Sequence, residues 1–213
     1  MKKAVLLDAD GTILDSKEWL RESFSRTAKE LGFFDSAEDK LDGLLTGKPL
    51  RDRYMELTPA GIDIDRCIRV HVVHQAELMD MIEPFEGVPE TLAILSGRGI
   101  ALAVVSSRRS RAPLVEVLRK YNLEQFFQEV ICLEDVENAK PHPESILLAM
   151  KRLGVLKRAK VFMVGDAVVD IEAGKQAGVR TVGALYGFEP ERLSEAGADY
   201  YINSFPEVLD IIL

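Results

Sequence analysis

Short apolar runs, each closed by polar residues, alternate along the chain with segments of helical periodicity. The first run, residues 3–7, is Lys-Ala-Val-Leu-Leu and gives way at once to Asp8-Ala9-Asp10-Gly11-Thr12. A continuous apolar run that stops abruptly in polar groups marks a strand buried on both faces of a parallel sheet, seen at its carboxyl end. Comparable runs occupy 100–105 (ending in Ser106), 129–133, 160–164 (ending in Gly165-Asp166), 180–184 and, at the end, 200–202. Between them Leu114, Val117 and Leu118, and then Ile146, Ala149, Met150 and Leu153, recur at spacings of three and four. Strands alternating with helices at this pitch predict an α/β fold: a Rossmann-like parallel sheet with helices on both faces.

The interval between the first run and the second is far longer than one crossover helix needs. Leu20, Phe24, Ala28 and Leu31 share one helical face, and Gly32 stops that helix. Ser36 suits the N-cap of a second helix ended by Gly47, Pro49 suits the start of a third, and residues 63–82 supply a longer fourth. Residues 15–83 therefore read as an all-helical cap inserted into a core made of 1–14 and 84–213, with Pro84, Gly87 and Pro89 marking the return. No fixed-period repeat or low-complexity tract interrupts this plan.

Composition narrows the partners. Lys and Arg number 27 against 35 Asp and Glu in 213 residues, a net charge of −8. That balance argues against nucleic acid, whose phosphates call for a basic face. Cys67 and Cys132 are far apart and form no metal-ligand or redox pair. The apolar run behind Lys2-Lys3 is cut at Asp8, short of the ~7–15 residues of a signal peptide's apolar region, and no stretch approaches the ~20 of a membrane span. The expectation is a cytoplasmic protein with neither a nucleic acid nor a membrane partner; the oligomeric state is not legible.

Three strand ends carry Asp8 with Asp10, Ser106, and Asp166. With a strand order of 3-2-1-4-5, Asp8 and Asp166 flank the switch point where open parallel sheets bind ligands. Carboxylates that converge there repel each other, and Lys140 alone cannot neutralise them together with Asp10. Hard oxygen ligands with room for water and phosphate oxygens call for Mg²⁺. An isolated Asp-x-Asp-Gly-Thr is equally well an acidic turn. The ordered set is more specific: Asp8-Ala9-Asp10-Gly11-Thr12, Ser106, Lys140-Pro141-His142-Pro143-Glu144, then Gly165-Asp166 with Asp170 four residues on.

In this set the chain resembles the haloacid dehalogenase superfamily of phosphatases. It is most similar to the subgroup with a small helical cap after the first motif, the phosphoglycolate phosphatase and β-phosphoglucomutase-like enzymes. The resemblance spans essentially the whole chain, specific in the core and loose in the cap. It implies a Mg²⁺-dependent phosphatase acting on a small phosphorylated metabolite, with Asp8 as nucleophile and Asp10 as general acid and base. Ser106 and Lys140 would bind and stabilise the phosphoryl group, with Thr12 beside them. Asp8, the Asp10 carbonyl and Asp166 would hold the metal. Asp170 would either support the metal shell through water or orient Lys140, or serve simply as a helix N-terminal acid.

Several positions keep two readings. Ser106 and Ser107 compete for the phosphoryl contact, with Ser106 first after the apolar run. Lys48, Arg51 and Arg53 stand beside Gly47, either as substrate-recognition residues for an anionic leaving group or as solvated helix charge. Arg108 and Arg109 divide in the same way. His71 and His74 lack an acid or cysteine at ligand spacing and read as helix-face residues, and His142 as a loop residue. The rival activity is a β-phosphoglucomutase-like phosphotransfer. Such enzymes usually carry a histidine just after the Asp-Ser or Asp-Thr pair, whereas Asp15-Ser16 is followed here by Lys17-Glu18-Trp19-Leu20. A dehalogenase is disfavoured by Asp10, and a receiver-like switch by the helical insertion.

Overall fold

The computed structural model describes residues 3–33 and 45–213. Strand β1 (Ala4–Leu7) lies at the centre of a six-stranded sheet with β4 (Ala101–Val105), β5 (Glu129–Ile131), β6 (Val161–Gly165), β7 (Arg180–Ala184) and β8 (Tyr200–Ile202), in the order β5-β4-β1-β6-β7-β8. All five pairings are parallel, with Leu7 opposite Val104 on one side and Val164 on the other. The alternation of side chains along each strand divides the core in two. Val5, Leu7, Leu102, Val104, Phe162 and Val164 pack on one face, and Ala4, Leu6, Ala101, Ala103, Val161 and Met163 on the other. Both faces are apolar because helices cover both, α4 (Val88–Gly97) and α5 (Arg111–Lys120) on the first and α6 (Glu144–Leu153) and α7 (Val168–Ala177) on the second, which is why the strands read as unbroken apolar runs.

The predicted insertion is present between two short strands, β2 (Leu14–Asp15) and β3 (Glu83–Pro84), which pair antiparallel. Helix α1 (Lys17–Leu31) ends at Gly32, whose φ of 70° is the left-handed turn only glycine adopts without penalty. Helix α2 (Leu50–Leu57) opens after Pro49. Helix α3 (Ile64–Glu77) begins at Asp63, whose side chain accepts the Arg66 backbone N–H. The helix expected between Ser36 and Gly47 lies outside the described residues. The fourth expected helix stops at Glu77, and residues 79–81 form a single 3₁₀ turn. The change of direction lets Leu78 and Ile82 continue the apolar period into the core beneath the sheet. The insertion has an apolar cluster of its own, in which Phe24, Ala28, Tyr54, Cys67 and Ile68 are buried. No helix among the described residues is long and apolar enough to cross a membrane.

His71 of α3 lies inside that cluster, its Nδ1 2.8 Å from the Tyr54 hydroxyl. Burial above all, helped by the nearby charges of Arg53 and His74, pushes its pKa down to about 3. An unfolded histidine titrates near ~6.5. Below that pH the unfolded chain therefore takes up a proton that the folded imidazole refuses. The stability contributed by neutral His71 is complete above pH ~6.5 and declines on acidification by about 1.4 kcal/mol per pH unit. Urea melts between pH 6.5 and 4.5 should show a shallower loss of stability for His71→Leu than for the wild type. Parallel slopes would show that His71 does not drive the acid sensitivity.

Candidate active site

Three carboxylates meet at the carboxyl ends of β1 and β6. Asp8 follows β1 directly, anchored by its N–H on Val164 O at 2.9 Å. Asp166 follows β6, and Asp170 lies in the first turn of helix α7 (Val168–Ala177). Each offers an oxygen within 4.8 Å of the others, and all three are buried. Lys140 enters from the loop before helix α6 (Glu144–Leu153). Its ammonium donates to Asp8 Oδ1 at 2.6 Å, Asp170 Oδ1 at 2.6 Å and Val105 O at 3.1 Å. Asp170 Oδ2 accepts the Ala167 N–H. Among the described residues Asp166 has no cation of its own: Oδ1 accepts Thr12 Oγ1–H at 3.2 Å and Oδ2 the Phe188 N–H at 2.9 Å.

This arrangement leaves more negative than positive charge away from water. Burial pushes Asp8 up to about 7, against the pull of Lys140 and with the repulsion of Asp170 added. Burial, and then the charges of Asp8 and Asp170, hold Asp166 well above the usual carboxylate range. Lys140 is also shifted upward: burial opposes its charge, but Asp170 and Asp8 outweigh burial and keep it protonated. Three buried carboxylates facing one ammonium form a hard-oxygen donor set that fits a small divalent cation, whose charge would bring the acids back to their ionised form. The space is tight. Gly11 has a φ of +83°, and a Cβ there would stand 2.1 Å from Asp166 Oδ2.

The carboxylates open onto a cleft of about 590 Å³ between the sheet and the helical insertion, lined among others by Asp8, Asp10, Trp19, Arg53, Ser106 and Arg108. With the buried acids at the strand ends and this cleft above them in view, the family follows from sequence comparison. The model of the haloacid dehalogenase-like hydrolases matches residues 5–184. The chain belongs to the haloacid dehalogenase-like hydrolase family. It is 34% identical to the pyrophosphatase PpaX of Halalkalibacterium halodurans, covering 98% of this chain and 95% of that one. Among solved structures it is similar to a HAD-superfamily hydrolase of subfamily IA from Geobacter sulfurreducens, at 27% identity and a TM-score of 0.74, covering 100% and 97% of the two chains. It is also similar to CbbY of Rhodobacter sphaeroides in complex with phosphate, at 26% identity and a TM-score of 0.80, covering 98% and 96%. Like these haloacid dehalogenase-like hydrolases, it is an enzyme of the phosphatase type.

Within this hydrolase the remaining candidates fall into place unevenly. Ser106 closes β4, is buried, and accepts the Arg108 backbone N–H at its Oγ, 3.1 Å away. Ser107 also lines the cleft. Thr12 is fully buried and directed at Asp166, so it positions that acid instead of facing the cleft. Asp10 stands outside the carboxylate cluster. Its Oδ1 accepts Ser16 Oγ–H at 2.6 Å and Arg108 Nη2–H at 2.6 Å, and its Oδ2 accepts Arg108 Nε–H at 2.8 Å. Burial alone would raise its pKa, but Arg108 and the Ser16 hydrogen bond hold it below the usual value. Of the two readings kept for Arg108, cleft residue or solvated loop, the structure shows the first, with Arg108 as the counter-ion of Asp10.

The cap cations are also redistributed. Lys48 is not among the cleft-lining residues and stands 2.6 Å from Glu56, while Arg51 lines the cleft and is paired with Asp65. Arg53 lines the cleft and belongs with Arg108 and Arg109 on its wall. His71 is packed against Tyr54, His74 meets Glu30 at 3.0 Å, and His142 is an exposed loop residue 3.8 Å from Glu144. Among the described residues none of the three joins a group of potential metal ligands. Sequence reasoning undervalued Arg108, Ser16 and Trp19. A polar residue two places beyond the β4 end was the one available signal.

Removing Lys140 would leave Asp8 and Asp170 buried together without their shared ammonium. Lys140→Ala should lower the free energy of unfolding by about 3–5 kcal/mol in urea melts, as breaking a buried ion pair does. Asp170→Asn should cost less, because an amide oxygen still accepts from Lys140. Equal, small losses for the two variants would contradict this charge balance.

Proposed function

We propose that the chain is a Mg²⁺-dependent phosphatase that hydrolyses a small phosphorylated metabolite through an aspartyl-phosphate on Asp8. The observation that carries this reading is Asp8 itself. It lies at a cleft wall with Oδ1 fixed by Lys140, and its Oδ2 accepts no hydrogen bond among the described residues. An oriented carboxylate with one oxygen available is what in-line attack on phosphorus needs.

In the first step Asp8 Oδ2 bonds to phosphorus, the bond from phosphorus to the leaving oxygen breaks, and Asp10 delivers a proton to that oxygen. In the second step water bonds to phosphorus and gives its proton to Asp10. The bond from phosphorus to Asp8 Oδ2 breaks, which releases phosphate and restores both acids. Ser106 Oγ accepts from the Arg108 backbone and so keeps its own O–H for a phosphoryl oxygen. Lys140 supplies charge to the same group, where electrostatic stabilisation dominates. Asp8, Asp166 and the Asp10 carbonyl would hold Mg²⁺, with Asp170 steadying Lys140. The ion, when bound, supplies positive charge to the phosphoryl oxygens.

The named relatives and the arginines on the cleft wall make pyrophosphate the first substrate to try. Hydrolysis is favoured over phosphotransfer because the segment after Asp15-Ser16 carries Trp19 and no histidine. We further read 15–83 as a cap and 1–14 with 84–213 as the catalytic core. The separate apolar cluster of the insertion and its two-strand β2–β3 connection support that division.

Asp8→Asn should abolish turnover of every substrate while leaving the thermal midpoint unchanged or raised, since it removes a charge that repels Asp166. Wild-type rates in that variant would rule out the covalent route. EDTA should silence the enzyme and Mg²⁺ restore it. Ca²⁺ should restore it poorly, because its larger and more flexible shell misplaces the attacking oxygen. Full turnover in metal-free buffer would overturn the metal requirement.

A further inference from the structure

Asp10 is held in a way that the proposed chemistry does not explain. The Arg108 guanidinium grips both of its oxygens, at 2.8 and 2.6 Å, and Ser16 adds a third bond to Oδ1. Three of the carboxylate's roughly four acceptor sites are filled in this way, two of them by one guanidinium fork, so a leaving oxygen competes with Arg108 for this carboxylate. Arg108 also lines the cleft, although its side chain is only 10% exposed, and its guanidinium stacks 4.5 Å from the ring centroid of Trp19 on α1. Trp19 is fixed in turn by its indole N–H on Gln75 O of α3, at 2.9 Å. The guanidinium fork fits a phosphate as well as a carboxylate, because both accept two parallel N–H bonds. Arg53 of α2 lines the same cleft from the insertion side, so a second anionic group entering there meets two guanidinium groups.

We propose that Arg108 is the specificity-determining residue of this site: an anionic leaving group, foremost a second phosphate, takes the Arg108 guanidinium from Asp10 and so frees an oxygen of Asp10 only when such a substrate is bound. The inference rests on the phosphatase reading above and adds the substrate class, phosphoanhydrides and other substrates with a charged leaving side. A substrate whose leaving group carries no anion leaves Arg108 on Asp10 and turns over slowly. The substrate brings its own negative charge into the site, and the guanidinium keeps one anionic partner throughout while the Trp19 ring supports its face.

The test compares pyrophosphate with p-nitrophenyl phosphate, using the full chain with Mg²⁺. Arg108→Ala should lose roughly ten- to a hundred-fold in kcat/KM on pyrophosphate, the size expected for one charged hydrogen-bonding partner. Its rate on p-nitrophenyl phosphate should rise, because Asp10 is no longer gripped. Added guanidinium ion should return part of the pyrophosphate rate. Arg108→Lys keeps the charge without the fork and should fall between the two; it serves as the folded control. Losses of equal size on both substrates, or an unchanged ratio, would overturn the proposal.

A second readout is independent of turnover. Trp19 is the chain's one tryptophan, so pyrophosphate added to Asp8→Asn should change the intrinsic fluorescence, and the same addition to Asp8→Asn/Arg108→Lys should change it less. Identical responses would show that Arg108 stays on Asp10. If the wild type hydrolyses neither substrate with Mg²⁺, the phosphatase reading fails by itself, and the fluorescence comparison still decides whether Arg108 exchanges partners.

Discussion

One ammonium group held between two carboxylates out of water sets the terms for the whole catalytic end of this sheet. Burying any of these ions alone would cost several kcal/mol, and the arrangement is tolerable because every Lys140 N–H is used. Two N–H groups meet Asp8 and Asp170, and the third meets the Val105 carbonyl. These partners belong to the end of β1, the first turn of α7 and the end of β4. A single side chain from the loop ahead of α6 thus ties three elements at one height above the sheet. The carboxyl ends of the strands cannot slip relative to one another without stranding a charge.

The same interaction leaves an imbalance that the fold does not correct. Lys140 serves Asp8 and Asp170, while Asp166 receives, among the described residues, only neutral donors from Thr12 and Phe188. Well-packed apolar residues would make a more stable sheet end. The cluster instead keeps three acids raised or compensated beside an open cleft, which makes sense where a cation and an anionic group are to be taken up together. The backbone yields to this requirement as well. A Cβ at Gly11 would meet the Asp166 carboxylate, and one at Gly187 would stand 2.2 Å from Asp166 Cβ, so both positions admit the acid only because they lack a side chain.

Most of this framework is legible in the sequence because its determinants are local. An apolar run that stops at Asp8, Ser106 or Asp166 gives both the strand and its polar end, Gly32 gives a helix stop, and Asp63 a helix start. The strand order written around the first strand agrees with the sheet observed. What could not be read is partner choice over long separations. Arg108 and Asp10 are 98 positions apart and meet because β1 and β4 are neighbours. Lys48 and Arg51 looked like recognition residues as a cluster beside Gly47. Their pairing with Glu56 of α2 and Asp65 of α3 is not legible from that cluster. The end of α3 at Glu77 was hidden for a related reason: Leu78 and Ile82 keep the helical period while their burial redirects the backbone.

Helix α1 joins the two halves of this picture. Trp19 and Leu20 are buried with the main core, whereas Phe24 and Ala28, one and two turns later, belong to the apolar cluster of the insertion. The helix therefore cannot shift with the insertion without also moving the ring on which the Arg108 guanidinium rests. Gly47 strengthens the link from the other side of the cleft: its φ of +64° and missing Cβ let the insertion lie directly against Ala167 and Val169, beside Asp166 and Asp170. Among the described residues the cations lining the cleft are Arg51, Arg53, Arg108 and Arg109, with Arg51 paired to Asp65 and Arg108 to Asp10. An anion entering the cleft therefore meets cations from both the insertion and the core. Gln75, Trp19, Arg108 and Asp10 form one continuous line of contacts from the insertion to the end of β1.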